Sequence, residues 1–258
     1  MDRLDGLRAL VCGSTQGIGR ATAVAFAEAG AAVTLLARDP ARLAETLSAL
    51  PGTGHASLGA DFGTPDAVLA AVREHLDTTG PIQILVNNTG GPPGGPLTEA
   101  TPSQFAGAFS AHLIASHLLV QALLPGMRET GYGRIINIIS TSVKQPIRGL
   151  GVSNTIRAAV ASWAKTLAGE VGRHGITVNN VLPGSTLTGR HHALIEARAA
   201  KTGVTVAEIE EAMRAEIPLG RFAEPAEVAA AVRFLASPAA GYITGINLPV
   251  DGGRLGSL

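Results

Sequence analysis

The fold of this chain is decided by the stretch Val11-Cys12-Gly13-Ser14-Thr15-Gln16-Gly17-Ile18-Gly19-Arg20. An apolar segment with strand character precedes the glycines, and a helical segment follows them directly. Glycine lets the backbone turn sharply, so that the free N–H groups of the helix N-terminus can approach an anion. The spacing Gly-x-x-x-Gly-x-Gly differs from the Gly-x-Gly-x-x-Gly and P-loop patterns, but its place between strand and helix indicates a dinucleotide pyrophosphate site.

Apolar strand-like segments alternate with alanine-rich helical segments along the rest of the chain. We predict strands at 7–12, 32–36, 82–87, 134–139, 176–181 and 246–250, with a weaker one near 55–59. We predict helices at 18–29, 40–50, 65–76, 102–127, 150–171 and 225–235. Strands that are apolar throughout and separated by helices indicate a parallel sheet covered on both faces. The predicted fold class is therefore α/β: a Rossmann-type, doubly wound parallel sheet in a single domain spanning 1–258.

Composition narrows the classes of partner. Lys and Arg together number 20, as do Asp and Glu, so no net charge draws the chain to nucleic acid or a membrane surface. The single Cys12 cannot form an internal disulfide, and the N-terminal residues lack the apolar segment of a signal peptide. No apolar run approaches the roughly 18–20 residues that span a bilayer. We expect a cytoplasmic protein with a small-molecule substrate.

The end of the second predicted strand bears on the choice of cofactor. A dinucleotide site commonly has an acid there for the ribose 2′-hydroxyl, or an arginine for a 2′-phosphate. Here Ala37 occupies the end of the strand and Arg38 follows it, while Asp39 precedes Pro40 and is better suited to capping the next helix. This favours NADP(H) over NAD(H), the alternative being that Arg38 only faces solvent.

Further motifs make the pattern specific. They are Asp61-Phe62 after the third strand, Asn87-Asn88-Thr89-Gly90 after the fourth, Pro183-Gly184 followed by Thr188, Ile217-Pro218-Leu219-Gly220-Arg221-Phe222, and Val250-Asp251-Gly252-Gly253. With the glycine-rich turn, these motifs resemble the short-chain dehydrogenase/reductase family over essentially the whole chain.

The resemblance implies roles for particular positions. Asp61 and Asn87 would lie at the adenosine side of the cofactor, and Phe62 and Gly90 would also bind the cofactor. The nicotinamide side would be held by Pro183, Gly184 and Thr188. The resemblance also implies a homo-oligomer, which we predict to be a tetramer because the long helices 102–127 and 150–171 have more apolar surface than one sheet face covers.

The catalytic end departs from the family pattern. The resemblance implies a site of Asn, Ser, Tyr and Lys, in which the Tyr is the acid or base. Ser140 stands at the substrate-orienting serine, but Ser153 stands where Tyr is expected, Arg157 where Lys is expected and His112 where Asn is expected. A serine hydroxyl is far less acidic than a phenol of pKa about 10, whereas Arg157 keeps the positive charge that could hold the ribose.

A replacement proton donor must therefore come from elsewhere. Neither Tyr132 nor Tyr242 is placed to substitute. His112 is the first candidate, because an imidazole of pKa about 6.5 suits proton transfer, although a lone helical histidine is more often structural. Lys144, in the loop after Ser140, more simply faces solvent. The paired histidines 191 and 192 in the polar segment 186–216, which we predict to be a substrate-side lid, are more simply surface residues. No cluster of residues has the spacing of a metal site.

Three functions follow from this sequence. The first is an NADP(H)-dependent oxidoreductase acting on a small carbonyl or alcohol with an atypical proton donor and weak activity on generic ketones. The second is a non-redox lyase or isomerase that holds its cofactor structurally. The third is a nucleotide-sensing protein without turnover, since fold alone does not settle function.

Overall fold

The computed structural model describes residues 3–257. Its centre is one sheet of parallel strands in the order β3-β2-β1-β4-β5-β6-β7. The strands are β1 Arg8–Cys12, β2 Ala32–Ala37, β3 Ala56–Gly59, β4 Ile84–Asn87, β5 Gly133–Ile138, β6 Ile176–Pro183 and β7 Asn247–Val250. The order reverses beside β1, the arrangement that opens a ligand crevice at the carboxyl ends of the strands. The predicted α/β, Rossmann-type fold class is confirmed.

Helices cover both faces of the sheet. They are α1 Gly17–Glu28, α2 Pro40–Ser48, α3 Pro65–Thr79, α4 Pro102–Phe109, α5 Ala115–Thr130, α6 Gly151–Val171, α7 Gly189–Thr202, α8 Val206–Ala215 and α9 Pro225–Ala236. On one face α1 and α9 bury Phe26 and Val232 against the sheet. On the other face α3, α5 and α6 bury apolar side chains such as Leu119. Burial on both faces is the reason the strands are apolar throughout.

The predicted helix 102–127 is interrupted at His112, the candidate proton donor. Between α4 and α5 the chain makes a π-helical turn, Ser110–Ile114, centred on His112. The hydroxyl of Ser116 donates to the carbonyl oxygen of His112 at 2.7 Å, which satisfies a carbonyl at this irregular turn. Such π-turns locally change the direction of side chains and occur often at functional sites.

The stretch Pro102–Thr130 bears on the expectation that no apolar run approaches the length of a membrane span. By length and composition it is apolar enough to cross a membrane. It packs inside the domain, however, where Leu119, Leu123 and Met127 are almost completely buried. A core helix of this length passes the same test of composition.

The segment 186–216 is built from α7 and α8, which pack on each other. Its base is held by the hydrogen bond between the Leu187 N–H and the Ala223 carbonyl oxygen, at 2.9 Å. The role of this segment as a lid stays a prediction, as does the homotetramer.

A row of asparagine amides crosses the carboxyl half of the sheet. Asn87, Asn137, Asn180 and Asn247 stand opposite one another in β4, β5, β6 and β7. Each amide nitrogen donates to the amide oxygen of the next residue at 2.8 Å, from Asn87 through to Asn247. We call this row the amide ladder. Because its first three members are almost completely buried, a shifted register would leave amide groups without partners.

We predict that Asn137→Ala lowers the free energy of unfolding by about 3 kcal/mol, because it leaves buried groups of both Asn87 and Asn180 unpaired. Asn247→Ala is the matched control. It removes the half-buried end of the ladder and should cost about 1 kcal/mol. Urea denaturation of both variants measures the difference. An equal loss would contradict a structural role for the ladder.

Candidate cofactor and active site

The glycine-rich turn has the close packing that the sequence predicts. Gly13 adopts a φ of +58°, and a Cβ there would lie 2.5 Å from the carbonyl oxygen of Asn88. A Cβ at Gly19 would overlap the carbonyl oxygen of Gly13. The turn therefore needs glycine at both positions.

The N-terminus of α1 is open to an anion. Its N-cap residue, Gln16, makes no side-chain cap, and no acidic residue lies in the first turn. Free N–H groups and the helix dipole therefore point out of the turn. Thr188 lies beside Gly17, where an added Cβ would be 3.0 Å from the threonine methyl group. These features fit the pyrophosphate of a dinucleotide between the turn and the base of α7.

Arginine side chains line the ligand crevice where β2 ends. Arg38 is exposed, and its Nη1 lies 3.9 Å from Oδ2 of Asp61. Asp39 accepts hydrogen bonds from the N–H groups of Ala41 and Arg42, which confirms it as the cap of α2. A second guanidinium, that of Arg42, donates to Gln16 at 3.1 Å. Sequence reasoning missed Arg42, because its link to the turn joins residues far apart in the chain.

Two serines lie near the catalytic end of β5. Ser140 follows β5 and is half-buried, and its Oγ accepts a hydrogen bond from the Ser142 N–H at 3.0 Å. Ser153 is buried in the first turns of α6, and its hydroxyl has no hydrogen bond to any other residue within 3–257. Where the family pattern has a tyrosine phenol, Ser153 therefore places a hydroxyl that makes no hydrogen bond within the described residues.

Arg157 lies one turn further along α6. It is half-buried, and its Nη1 donates to the carbonyl oxygen of Ile138, at the end of β5, at 2.8 Å. Burial, followed by the charge of Arg190, lowers the pKa of Arg157 to about 10. The guanidinium is therefore still a cation at neutral pH.

His112 stands opposite this cation. Its Nδ1 shares a hydrogen bond with the hydroxyl of Thr89, 2.5 Å away. Burial lowers the pKa of His112 to about 3, and the charges of Arg157 and Arg190 add to that effect. The imidazole is therefore neutral at pH 7. The protonated imidazolium, which would be needed for His112 to act as the proton donor suggested by the sequence, is present only in trace amounts.

A small cavity joins these groups at the edge of the sheet. Among its lining residues are Asn87, Thr89, His112, Asn137 and Arg157. The amide oxygen of Asn87, at the start of the amide ladder, is buried here without a hydrogen-bond partner within the described chain. The ladder therefore ends in a free acceptor beside the imidazole. The side chain of Asn87 is committed to the sheet, and its predicted contact with the cofactor stays a prediction.

The remaining candidates are placed as follows. His191 is buried rather than on the surface, because its ring packs edge-on against Phe222, with centroids 4.6 Å apart. His192 and Lys144 are exposed. Tyr132 donates to the Ala236 carbonyl oxygen at 2.7 Å, away from the site.

The cofactor roles of Phe62, Gly90, Pro183 and Gly184 stay predictions. Among residues 3–257 no group of His, Cys, Asp or Glu could hold a metal ion.

The segment 186–216 contributes one side chain to the cleft that the sequence did not reveal. Arg190, at the start of α7, donates from Nη2 to the carbonyl oxygen of Pro92 at 2.6 Å. It also covers Gly91, where a Cβ would be 2.9 Å from Nη2. No motif marks Arg190, because its partners follow β4 and lie nearly a hundred residues earlier.

Known proteins share this architecture. Residues 13–254 match the model of a family described as enoyl-(acyl carrier protein) reductase. The chain is 34% identical to the 3-oxoacyl-(acyl-carrier-protein) reductase FabG of Vibrio cholerae, over 97% of this chain and 98% of that one.

Solved structures agree with the sequence relatives. The L-sorbose reductase of Gluconobacter frateurii, complexed with NADPH and L-sorbose, superposes with a TM-score of 0.94 at 34% identity, covering 100% of both chains. The NADPH-dependent reductase YwfH, involved in bacilysin biosynthesis, gives 0.91 at 26% identity, covering 98% of this chain and 99% of that one.

We predict that His112 makes stability fall in mild acid. Because its pKa is lowered to about 3 in the folded state and is ordinary in the unfolded state, only the unfolded state binds a proton as pH falls below about 6.5. Wild type should lose about 2 kcal/mol relative to His112→Asn between pH 7 and pH 5. Urea denaturation at both pH values measures this. Parallel pH profiles for the two proteins would contradict a buried neutral imidazole, and His192→Asn serves as the exposed control.

Proposed function

Because this chain belongs to the short-chain dehydrogenase/reductase family, an oxidoreductase family, we propose that it transfers hydride between NADP(H) and a small carbonyl or alcohol. The observation that carries the proposal is the shared sheet edge. There the N-terminus of α1 is open to an anion, and Ser140 and Arg157 lie after β5 and on α6. The L-sorbose reductase, which resembles this chain throughout, is described with NADPH and a keto sugar, in keeping with both halves of the proposal.

The cofactor is NADP(H) rather than NAD(H) in this proposal. Asp39 is occupied as a helix cap, so no free acid stands at the end of β2 for a ribose hydroxyl. Arg38 and Arg42 supply positive charge at that end, which suits a 2′-phosphate. The NADPH complex of L-sorbose reductase and the NADPH dependence of YwfH support the same choice.

The residues divide the chemistry in the following way. The bound nicotinamide supplies or accepts the hydride. Ser140 donates a hydrogen bond to the substrate oxygen and orients it. Arg157 holds the ribose with one of its remaining N–H groups and keeps positive charge near the oxygen as negative charge develops there. His112 stays neutral, and water supplies the proton.

The absence of a tyrosine phenol has a consequence for the rate in this proposal. General acid–base help typically contributes about 10²–10⁴-fold, so activity on generic ketones is weak and an activated carbonyl is preferred. The unpartnered hydroxyl of Ser153 also favours a second candidate function, a protein that binds NADP(H) without turnover. An NADPH oxidation assay over a panel of carbonyl compounds separates the two.

We predict that NADPH binds about tenfold or more tightly than NADH, and that Arg38→Ala removes most of this preference by weakening NADPH alone. The reason is loss of a charge-assisted hydrogen bond to the 2′-phosphate. Calorimetric titration of wild type and variant with both cofactors measures it. The exposed Arg128, at the end of α5, provides the control Arg128→Ala. Equal affinities in wild type would end the NADP(H) proposal.

We predict that Ser140→Ala lowers kcat/KM about 100-fold, whereas Ser153→Ala changes it by less than about threefold. The first variant loses the group that orients the carbonyl, and the second loses a hydroxyl that has no partner. Both are measured at saturating NADPH, with cofactor affinity checked separately. A thousandfold loss in Ser153→Ala with intact cofactor binding would show instead that Ser153 carries the proton transfer.

A further inference from the structure

Two arginines from different elements share the cleft. Arg157 extends from α6 to the end of β5, and Arg190 extends from α7 to the loop after β4. Both charges lower the pKa of His112, so the two guanidinium groups lie within electrostatic range of the same imidazole. The lid thus adds a second cation to the one already in the site.

Neither cation has a counter-charge. Across residues 3–257, no carboxylate lies within 4.0 Å of Arg157 or Arg190. Each makes a single hydrogen bond to protein, to the carbonyl oxygen of Ile138 or of Pro92. A guanidinium has five N–H donors, so most donors of both groups are left for a ligand. Between two like charges, an anion relieves repulsion as well as accepting these hydrogen bonds.

The position of Arg190 suits a group on the substrate. The cofactor phosphates belong between the turn 13–19 and Thr188 at the base of α7, and near Arg38. Arg190 instead reaches the loop after β4, and the neighbouring Leu194 of α7 would lie 3.7 Å from a Cβ at Gly94. Because Arg190 is exposed, an incoming molecule can reach it, and the Pro92 carbonyl can be exchanged for another acceptor.

We propose that Arg190, with Arg157 behind it, binds a carboxylate of the substrate, so that the reducible carbonyl belongs to an oxo acid. This rests on the proposed function, since it names the substrate class of the same site. A planar carboxylate matches the forked donors of arginine. The carbonyl carbon receives hydride from NADPH and its oxygen receives a proton from water, so each oxo acid gives one hydroxy acid and one NADP+.

The test compares oxo acids of three to six carbons with their methyl esters, which have the same carbonyl but no charge. Wild type with NADPH should show kcat/KM about 10- to 100-fold higher for the best acid than for its ester. Arg190→Gln should remove this preference by lowering the value for the acid alone. Arg190→Lys, which keeps charge without the fork, should fall between them.

Two controls separate this proposal from its alternatives. Arg198→Gln, an exposed change on the same helix, should leave the preference intact. The affinity for NADPH should be unchanged in Arg190→Gln. If that affinity falls instead, Arg190 serves the cofactor and the proposal is wrong. Equal rates for acids and esters in wild type would also overturn it.

Failure of the proposed function gives a different result. If wild type reduces neither acids nor esters, calorimetry of the same acids with the NADP+ complex decides the matter. Binding that Arg190→Gln abolishes would support a carboxylate site without turnover. Absence of binding in wild type would overturn the carboxylate site.

Discussion

The amide ladder is the constraint on which the site depends. Asn87, Asn137 and Asn180 are buried, and each uses its amide nitrogen on the next strand. A shift of β5 by one residue would break two of these hydrogen bonds and would turn the strand's side chains to the other face. The ladder thereby fixes the register of β4, β5 and β6 relative to one another. The loops of the candidate active site begin at the carboxyl ends of these strands.

The ladder also links the sheet to the chemistry of the cleft. Its free end, the amide oxygen of Asn87, lies in the same cavity as His112 and Arg157. Burial and the arginine charges keep the imidazole neutral, so the cleft holds its positive charge on arginine alone. Within residues 3–257 no carboxylate lies within 4.0 Å of Arg157 or Arg190. This part of the cleft therefore attracts anions, and it supplies charge stabilisation more readily than protons.

Local signals predicted structural features of the candidate site, and the cofactor and catalytic roles of its residues stay predictions. The glycine-rich turn and the cap at Asp39 depend on residues adjacent in the chain, and both are found as predicted. Ser140 could be placed because it directly follows a strand. The burial of His191 and the π-turn at His112 could not be predicted, since each results from packing between distant segments.

The sequence by itself determined the α/β class, the position of the dinucleotide turn, and the absence of tyrosine and lysine from their expected positions. These follow from residue type, short spacing and hydrophobic pattern, which are local properties. Only the tertiary structure decided that His112 is neutral, that the four asparagines form one ladder, and that the charges of Arg157 and Arg190 both act on His112. A pKa, a buried hydrogen bond and a charge cluster depend on distances between atoms, and folding sets those distances between residues far apart in the chain.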